Sequence, residues 1–227
     1  MDILIADDHP LFRDALKRAV ARVLPQANLV ETDSVGGLQA IAAKHPDADL
    51  LLLDLNMPGA QGFSALAHMR GHFPQLPVVV VSAREEPATM RRAIAYGASG
   101  FIPKSASLET IATALTQVLD GHVWLPEGVD PEDALAPEES DLASRIAELT
   151  PQQFRVLSML GEGLLNKQIA WELGVSEATV KAHMTAVLRK LGAHSRTQVI
   201  VMTGRLALDP PISMPTPVLG ERDAPST

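Results

Sequence analysis

Residues 50–59 read LLLLDLNMPG, and this stretch decides the fold. Four consecutive leucines form a short apolar run that ends on a carboxylate, Asp54, and breaks at Met57-Pro58-Gly59. Such a run, closed by turn residues, suits a strand buried on both faces of a parallel sheet better than an amphipathic one. In such sheets ligands gather in the crevice beyond the carboxyl ends of the strands. An isolated Asp at a strand end ordinarily caps the next turn. Whether Asp54 does more depends on what the neighbouring strands carry at the same level.

Working outward, strand patterns occur at ILIAD (3–7), LVET (29–32), LLLLDL (50–55), VVVVSA (78–83) and GFIP (100–103). Helical patterns lie between and after them at 10–24, 35–45, about 62–72, 86–96 and 107–120. Strict alternation of this kind predicts an α/β domain with a doubly wound, five-stranded parallel sheet, and right-handed crossovers put helices on both faces. Pro103 has no N–H to give a ladder, so the fifth strand belongs at an edge. Gly36 and Gly37 weaken the second helix, and the sequence offers no reason for them.

A chain of 227 residues with 46% hydrophobic and 20% charged residues has the composition of a globular protein of one or two domains. It has no cysteine, which excludes disulfides, thiolate zinc sites and cysteine nucleophiles. No secretory signal is visible at MDILIADDHP, and no apolar run approaches the ~20 residues of a membrane span, so a cytoplasmic protein is expected. The net charge of −8 is unevenly spread. Ten basic against thirteen acidic residues leave −3 over 1–125, one against seven leaves −6 over 126–145, and seven against four leave +3 over 146–208. A basic module thus hides inside an acidic chain.

The domain boundaries follow: 1–122 for the α/β domain, 123–147 for an acidic linker with three prolines, 148–208 for an all-α module, and 209–227 for a proline-rich tail expected to be disordered. The module shows four helix starts. Thr150-Pro151-Gln152-Gln153 is a capping box with a Leu149–Phe154 staple; Asn166 and Ser176 are expected to cap the second and third helices, and Ser195-x-x-Gln198 opens the fourth.

In a doubly wound sheet the strand ends converge. Asp7 and Asp8 end the first strand, Asp54 the third and Ser82 the fourth, and Lys104 follows the fifth. Clustered carboxylates need a cation, and hard oxygen ligands with open positions suit Mg²⁺. A lysine and a hydroxyl beside it make a cradle for a phosphoryl group, with Asp54 as the nucleophile that accepts it.

On Asp7-Asp8, the Asp54-x-x-Met57-Pro58 turn with Gly62, Ser82-Ala83 and GFIPK ending at Lys104, residues 1–121 resemble the receiver domain of two-component response regulators. The resemblance implies phosphorylation of Asp54 by a sensor histidine kinase. It also implies Mg²⁺ at Asp7, Asp8, Asp54 and the carbonyl of Asn56, and a switch pair of Ser82 and Phe101. The family often has Thr where Ser82 stands; the hydroxyl is kept.

Residues 149–205 resemble the LuxR/FixJ-type (NarL-like) helix-turn-helix domain through LTPQQFRVLSMLGEGLLNKQIAWELGVSEATVKAHMTAVLRKLG. Helices at 166–173 and 177–191 form the two-helix unit, with Val180, Met184, Val187, Leu188 and Leu191 as the buried stripe of the second. Opposite that stripe lie Ala178, Ala182, Thr185, Ala186 and Arg189, flanked by Lys181; small side chains let a helix sit deep in a major groove. Lys181, Ala182 and Thr185 are expected at base edges or nearby phosphates, and Lys167, Thr179, Arg189, Lys190 and Arg196 at the backbone. The fourth helix is apolar almost all round, and the resemblance implies a dimer contact through Val199, Met202 and Leu206.

The reading is a transcription factor, not an enzyme, acting as a homodimer on double-stranded DNA with a histidine kinase and RNA polymerase as partners. Aspartyl phosphatases place an acid two residues after the nucleophile, where this chain has Asn56. The other alternative is a phosphorylation-independent scaffold or regulator, which leaves the five-residue site without a purpose. The linker is expected to be an extended spacer; a more specific idea is that its carboxylates lie against Lys167, Lys181 and Arg189 and compete with DNA.

Overall fold

The structure, a computed structural model, describes residues 1–60, 62–130 and 137–204. Five strands, β1 (Asp2–Ala6), β2 (Asn28–Thr32), β3 (Leu50–Asp54), β4 (Val78–Ser82) and β5 (Gly100–Pro103), form one parallel sheet in the order β2-β1-β3-β4-β5. All of β3 and β4 is buried, as the run of leucines and the run of valines require. Five helices wind around it: α1 (Pro10–Val23), α2 (Val35–Lys44), α3 (Ser64–His72), α4 (Pro87–Ala95) and α5 (Leu108–Leu119).

Because successive side chains on a strand face opposite ways, the sheet feeds two cores. Ile3, Ile5, Leu52, Val79 and Ile102 pack with Leu16 of α1 and Ile111 of α5. Leu4, Leu53, Val80 and Phe101 pack with Leu38 of α2, Leu66 of α3 and Met90 of α4. Of the two glycines of α2, Gly37 now has a reason and Gly36 only an ordinary neighbour. A Cβ on Gly37 would run into the Thr32 hydroxyl at the end of β2, and at Gly36 the Arg155 side chain comes within 3.6 Å of where a Cβ would stand.

The stretch read as a linker is largely structured. Trp124 takes a hydrogen bond from Phe101 N–H at 3.0 Å and gives one to the Ser99 carbonyl at 3.1 Å, so it covers the free edge of β5. Pro137–Ala147 then forms a helix, α6, with Leu142 and Ile146 buried. This corrects the extended spacer. An isolated helix of that length is marginal in water, but burying a Leu or Ile side chain contributes about 1.5–3 kcal/mol, and α6 gains that by packing on α3. Leu142, Ile146 and Leu149 recur at helical spacing among the carboxylates; that was the signal in the sequence, and the acidic charge obscured it.

The approach of α3 and α6 is close because Gly71 has no side chain: a Cβ there would stand 2.5 Å from Ala147 Cβ and 2.7 Å from its carbonyl oxygen. The apolar core on the α3 side of the sheet therefore runs on through Leu142, Ile146, Phe154 and Leu157 into the C-terminal module. That module consists of α7 (Pro151–Gly161), α8 (Asn166–Leu173), α9 (Glu177–Leu191) and α10 (Arg196–Gly204). The Thr150–Gln153 capping box forms as expected. Asn166 does not cap α8; it is the first helical residue, and the Leu165 N–H is satisfied by Gln168 Oε1 at 2.7 Å.

Replacing Gly71 by Val gives a clean test of this contact. Helix propensity alone favours the change by a few tenths of a kcal/mol, whereas the collision with Ala147 opposes it. The expected outcome is that calorimetry resolves two separate unfolding transitions in Gly71→Val where the native chain, whose core is continuous, gives one.

Candidate functional site

The strand ends do converge. Asp54 is 1% exposed; its Oδ1 accepts the Asn56 N–H at 3.0 Å and its Oδ2 accepts Lys104 Nζ at 2.8 Å. The same ammonium lies 2.7 Å from Asp7 Oδ2. The Lys104 backbone is fixed by its N–H on the Ser82 carbonyl at 2.8 Å, which ties the end of β5 to that of β4. Burial pushes the Lys104 ammonium down, but its hydrogen bonds to Asp54 and Asp7 outweigh burial and hold it above the usual lysine range. The ring of Phe12 sits 5.0 Å from Nζ, adding a cation–π contact. Ser82 is fully buried, with its Oγ accepting the Arg84 N–H at 3.1 Å. Phe101 is fully buried opposite Val80, two register pairs below Ser82.

Asp7 is held from both sides. Its N–H bonds the Thr32 carbonyl at 3.1 Å, its own carbonyl accepts Arg13 Nη1 at 2.6 Å, and its Oδ1 accepts the His9 N–H at 2.7 Å. His9 is the residue the sequence reading missed. Its Nδ1 lies 2.7 Å from Asp8, 3.4 Å from Asp7 and 3.7 Å from Asp54. Its position directly after Asp7-Asp8 was the available signal. One ligand atom from each of Asp7, Asp8, His9 and Asp54 falls within 4.8 Å of the others, an acidic cluster able to hold a metal ion. Three carboxylates against one ammonium leave a negative surplus of hard oxygen donors, which fits a divalent hard cation. Asn56 is exposed at the mouth of this cluster.

The second candidate site is α9. Ser176 caps it by accepting the Thr179 N–H at 3.1 Å, and Gly174 and Gly192, both with φ in the left-handed region, close α8 and α9. Val180, Met184, Val187 and Leu191 are buried, while Ala178, Lys181, Ala182, Thr185 and Arg189 are exposed together on the opposite side. Lys167 on α8 is exposed as well. The Thr185 hydroxyl donates back to the Lys181 carbonyl at 3.0 Å, so its methyl is what faces outward.

Several expected contacts are otherwise engaged. Arg196 donates to the Leu164 carbonyl at 2.6 Å and Lys190 to the Glu148 carbonyl at 2.8 Å, so both brace the module from within. The Thr179 hydroxyl is paired with that of Ser176 at 2.9 Å. Val199 is fully buried and belongs to the core, which removes it from any dimer contact; Met202 is half-buried, and Leu206 lies outside the described residues. The exposed apolar residues of α10 are instead Ile200 and Val201.

The masking contact is not formed by those linker carboxylates whose side chains the structure describes. Asp141 pairs with Arg145 at 2.8 Å, within its own helix, and Lys167, Lys181 and Arg189 have no ion-pair partner among the described residues. Local i,i+4 pairing competes successfully because its partners are already neighbours on one helix. Glu132, Asp133 and the Glu139 side chain lie outside what the structure describes.

Comparison with known proteins places both domains in known families. The response regulator receiver domain family matches residues 3–116, and the family of bacterial regulatory proteins, luxR family, matches residues 147–203. The glycerol metabolism activator of Pseudomonas putida is 41% identical over 208 residues, covering 89% of this chain and 94% of that protein. The nitrate/nitrite response regulator protein NarL of Escherichia coli K12 is 33% identical over 201 residues, covering 88% and 93%. Among solved structures, the RcsB response regulator of Salmonella typhimurium superposes with a TM-score of 0.52 at 26% identity, covering 88% of this chain and 97% of that one. A structure of two RcsB dimers bound to two parallel DNAs gives the same TM-score and identity over 88% and 96%. Among the described residues no helix is long and apolar enough to cross a membrane. The chain belongs to the response regulators that join a receiver domain to a LuxR-type helix-turn-helix domain, and it is a DNA-binding regulator of transcription.

Proposed function

We propose that Asp54 is the phosphoacceptor of this cytoplasmic regulator, that a sensor histidine kinase supplies the phosphoryl group, and that the phosphorylated chain acts on DNA as a dimer. The observation that carries this reading is the meeting of Asp7, Asp8, Asp54 and Lys104 at the ends of neighbouring strands. In the transfer an Asp54 oxygen forms a bond to phosphorus as the bond from phosphorus to the donor breaks, and the electron pair leaves with the donor. Lys104 is close enough to Asp54 to stay against the transferred oxygens, and the Ser82 hydroxyl, which at present only accepts, has its proton to donate. Mg²⁺, held by Asp7, Asp8, Asp54 and the Asn56 carbonyl, would supply neutralising charge to the phosphoryl oxygens. Ser82 with Phe101 is the switch pair of this reading, starting from an inward ring.

At the DNA, Lys181 and the small face of Ala178 and Ala182 suit the floor of a major groove, and the Thr185 methyl suits a thymine methyl. Lys167 and Arg189 suit phosphates. A dimer would read two half-sites roughly 10 base pairs apart, and Ile200, Val201 and Met202 of α10 are its contact.

With acetyl phosphate and Mg²⁺, intact-mass measurement should find one added phosphoryl group on the native chain. None is expected on Asp54→Asn, and less on Asp8→Ala; normal labelling of Asp54→Asn would sink the assignment. On a two-site operator, Lys181→Ala should weaken binding by about 1–3 kcal/mol if it reads a base. Val201→Glu should weaken binding to paired half-sites while leaving a single half-site unaffected. Equal affinity of the native and Val201→Glu chains for paired sites would remove α10 as the dimer contact.

A further inference from the structure

His68 stands on α3 at the centre of the contact between the receiver and the DNA-binding module, and nothing in the phosphoryl or DNA chemistry uses it. It is 1% exposed. Its ring stacks flat on Phe154 of α7, with centroids 4.0 Å apart and planes 4° from parallel, and it touches His72 one turn on at 4.1 Å. From α2, Gln39 Nε2 meets its Nε2 at 3.1 Å, so the ring accepts there and carries its proton on Nδ1. The Ile146 carbonyl of α6 is near enough to favour a charged ring slightly, yet Nδ1 closes no hydrogen bond. Four elements thus enclose one imidazole.

We infer that protonation of His68 works against the docking of the DNA-binding module on the receiver, so that the docked arrangement is most stable in neutral and alkaline conditions and loosens in mild acid. The geometry leaves the charged ring no counter-charge, only neutral acceptors in the Ile146 carbonyl and, after a turn of its amide, Gln39 Oε1. Gln39 would have to turn its amide away from a ring that now has N–H groups on both sides, and Phe154 and Ile146 offer no counter-charge. The charged and titratable groups on the enclosing elements are Lys44 on α2, Arg70 and His72 on α3, Glu138, Glu139, Asp141 and Arg145 on α6, and Arg155 on α7, with Glu148 just after α6. None of them forms an ion pair with His68 among the described residues. Glu162, further along α7 and at the solvent, faces Glu172, and burial with that neighbour raises its own carboxyl rather than making it a ready partner.

Burial first, and the neighbouring His72 second, push the His68 ring down to about 3 from its ordinary 6.5. The sign follows from linkage. A ring that must stay neutral when docked, and is free to charge when undocked, stabilises docking fully above about pH 6.5. That stabilisation drains away as pH falls toward 3. Between pH 7.5 and 5.5 the docking equilibrium should weaken about tenfold, because near pH 5.5 about ten undocked rings are charged for each neutral one.

The chain has no cysteine, so a single one placed at the buried position of Leu142 on α6 reports undocking through its rate of thiol labelling. In the full-length Leu142→Cys protein, with rates normalised to a cysteine peptide at the same pH, labelling should be about tenfold faster at pH 5.5 than at pH 7.5. Adding His68→Phe, which keeps an aromatic ring against Phe154 and cannot charge, should abolish that acceleration. Adding His72→Gln should leave most of it. An equal acceleration with and without His68→Phe, or none in either, overturns the inference. Should His68→Phe fail to fold, the nitrogen-15 resonances of the native histidine decide. A ring that titrates near pH 6.5 while α6 stays protected from labelling overturns it as well.

Discussion

One ammonium answering two buried carboxylates is the constraint on which the receiver half depends. Lys104 reaches Asp7 and Asp54 at 2.7 and 2.8 Å from a strand that is an edge of the sheet, while the carboxylates end β1 and β3. For that to happen β1, β3, β4 and β5 must run parallel, end at one level and keep register, and every crossover helix follows from those demands. Removing one partner of a buried charge pair typically destabilises by about 3–5 kcal/mol, so the contact at the centre of the proposed phosphoryl site also polices the fold. The site is thus built with an excess of negative charge that only a cation or a ligand rich in donors relieves.

The receiver was legible because its signals are local and repeated. Each strand is a short β-rich run, each helix has a breaker before it, and the chemistry sits at positions the topology makes equivalent. The helix-turn-helix was legible for a similar reason: the Ser176 cap and the buried stripe of α9 lie where the spacing puts them. His9 was overlooked because it follows the strand end as the cap of the next helix, and only three dimensions bring its ring back over Asp8. The internal hydrogen bonds of Arg196 and Lys190 were hidden for a related reason. A cation near a basic surface has many uses, and carbonyls left at the ends of helices compete for it with any outside partner.

The joint between the halves was least legible. Its elements are ordinary taken singly: a glycine in a short helix, an acidic stretch with three apolar residues, a histidine in a polar-looking segment. Gly71 acquires meaning only when Ala147 lies against it, and α6 is a helix because α3 gives its apolar stripe somewhere to go. Sequence periodicity can nominate such a stripe but does not name its partner, since the contact joins residues more than seventy positions apart. The acidic charge that suggested a solvated spacer is compatible with a docked helix because it sits on the outer face, where Asp141 finds Arg145.

Docking in this form leaves the groove-facing side of α9 open. Lys181, Ala182, Thr185 and Arg189 remain exposed while α3 and α6 are packed, and the receiver reaches the module through α6 and α7 instead. Covering the reading helix is therefore not what this joint does. What it fixes is the position of the whole module, and with it the direction in which the exposed Ile200 and Val201 of α10 point. A signal at Asp54 that acts through assembly needs the two halves to move as a unit, and a continuous apolar core running from Leu53 through Ile146 to Phe154 supplies that stiffness. Placing an ionisable ring inside the same core makes the stiffness conditional, because the solvent can weaken it by delivering one proton.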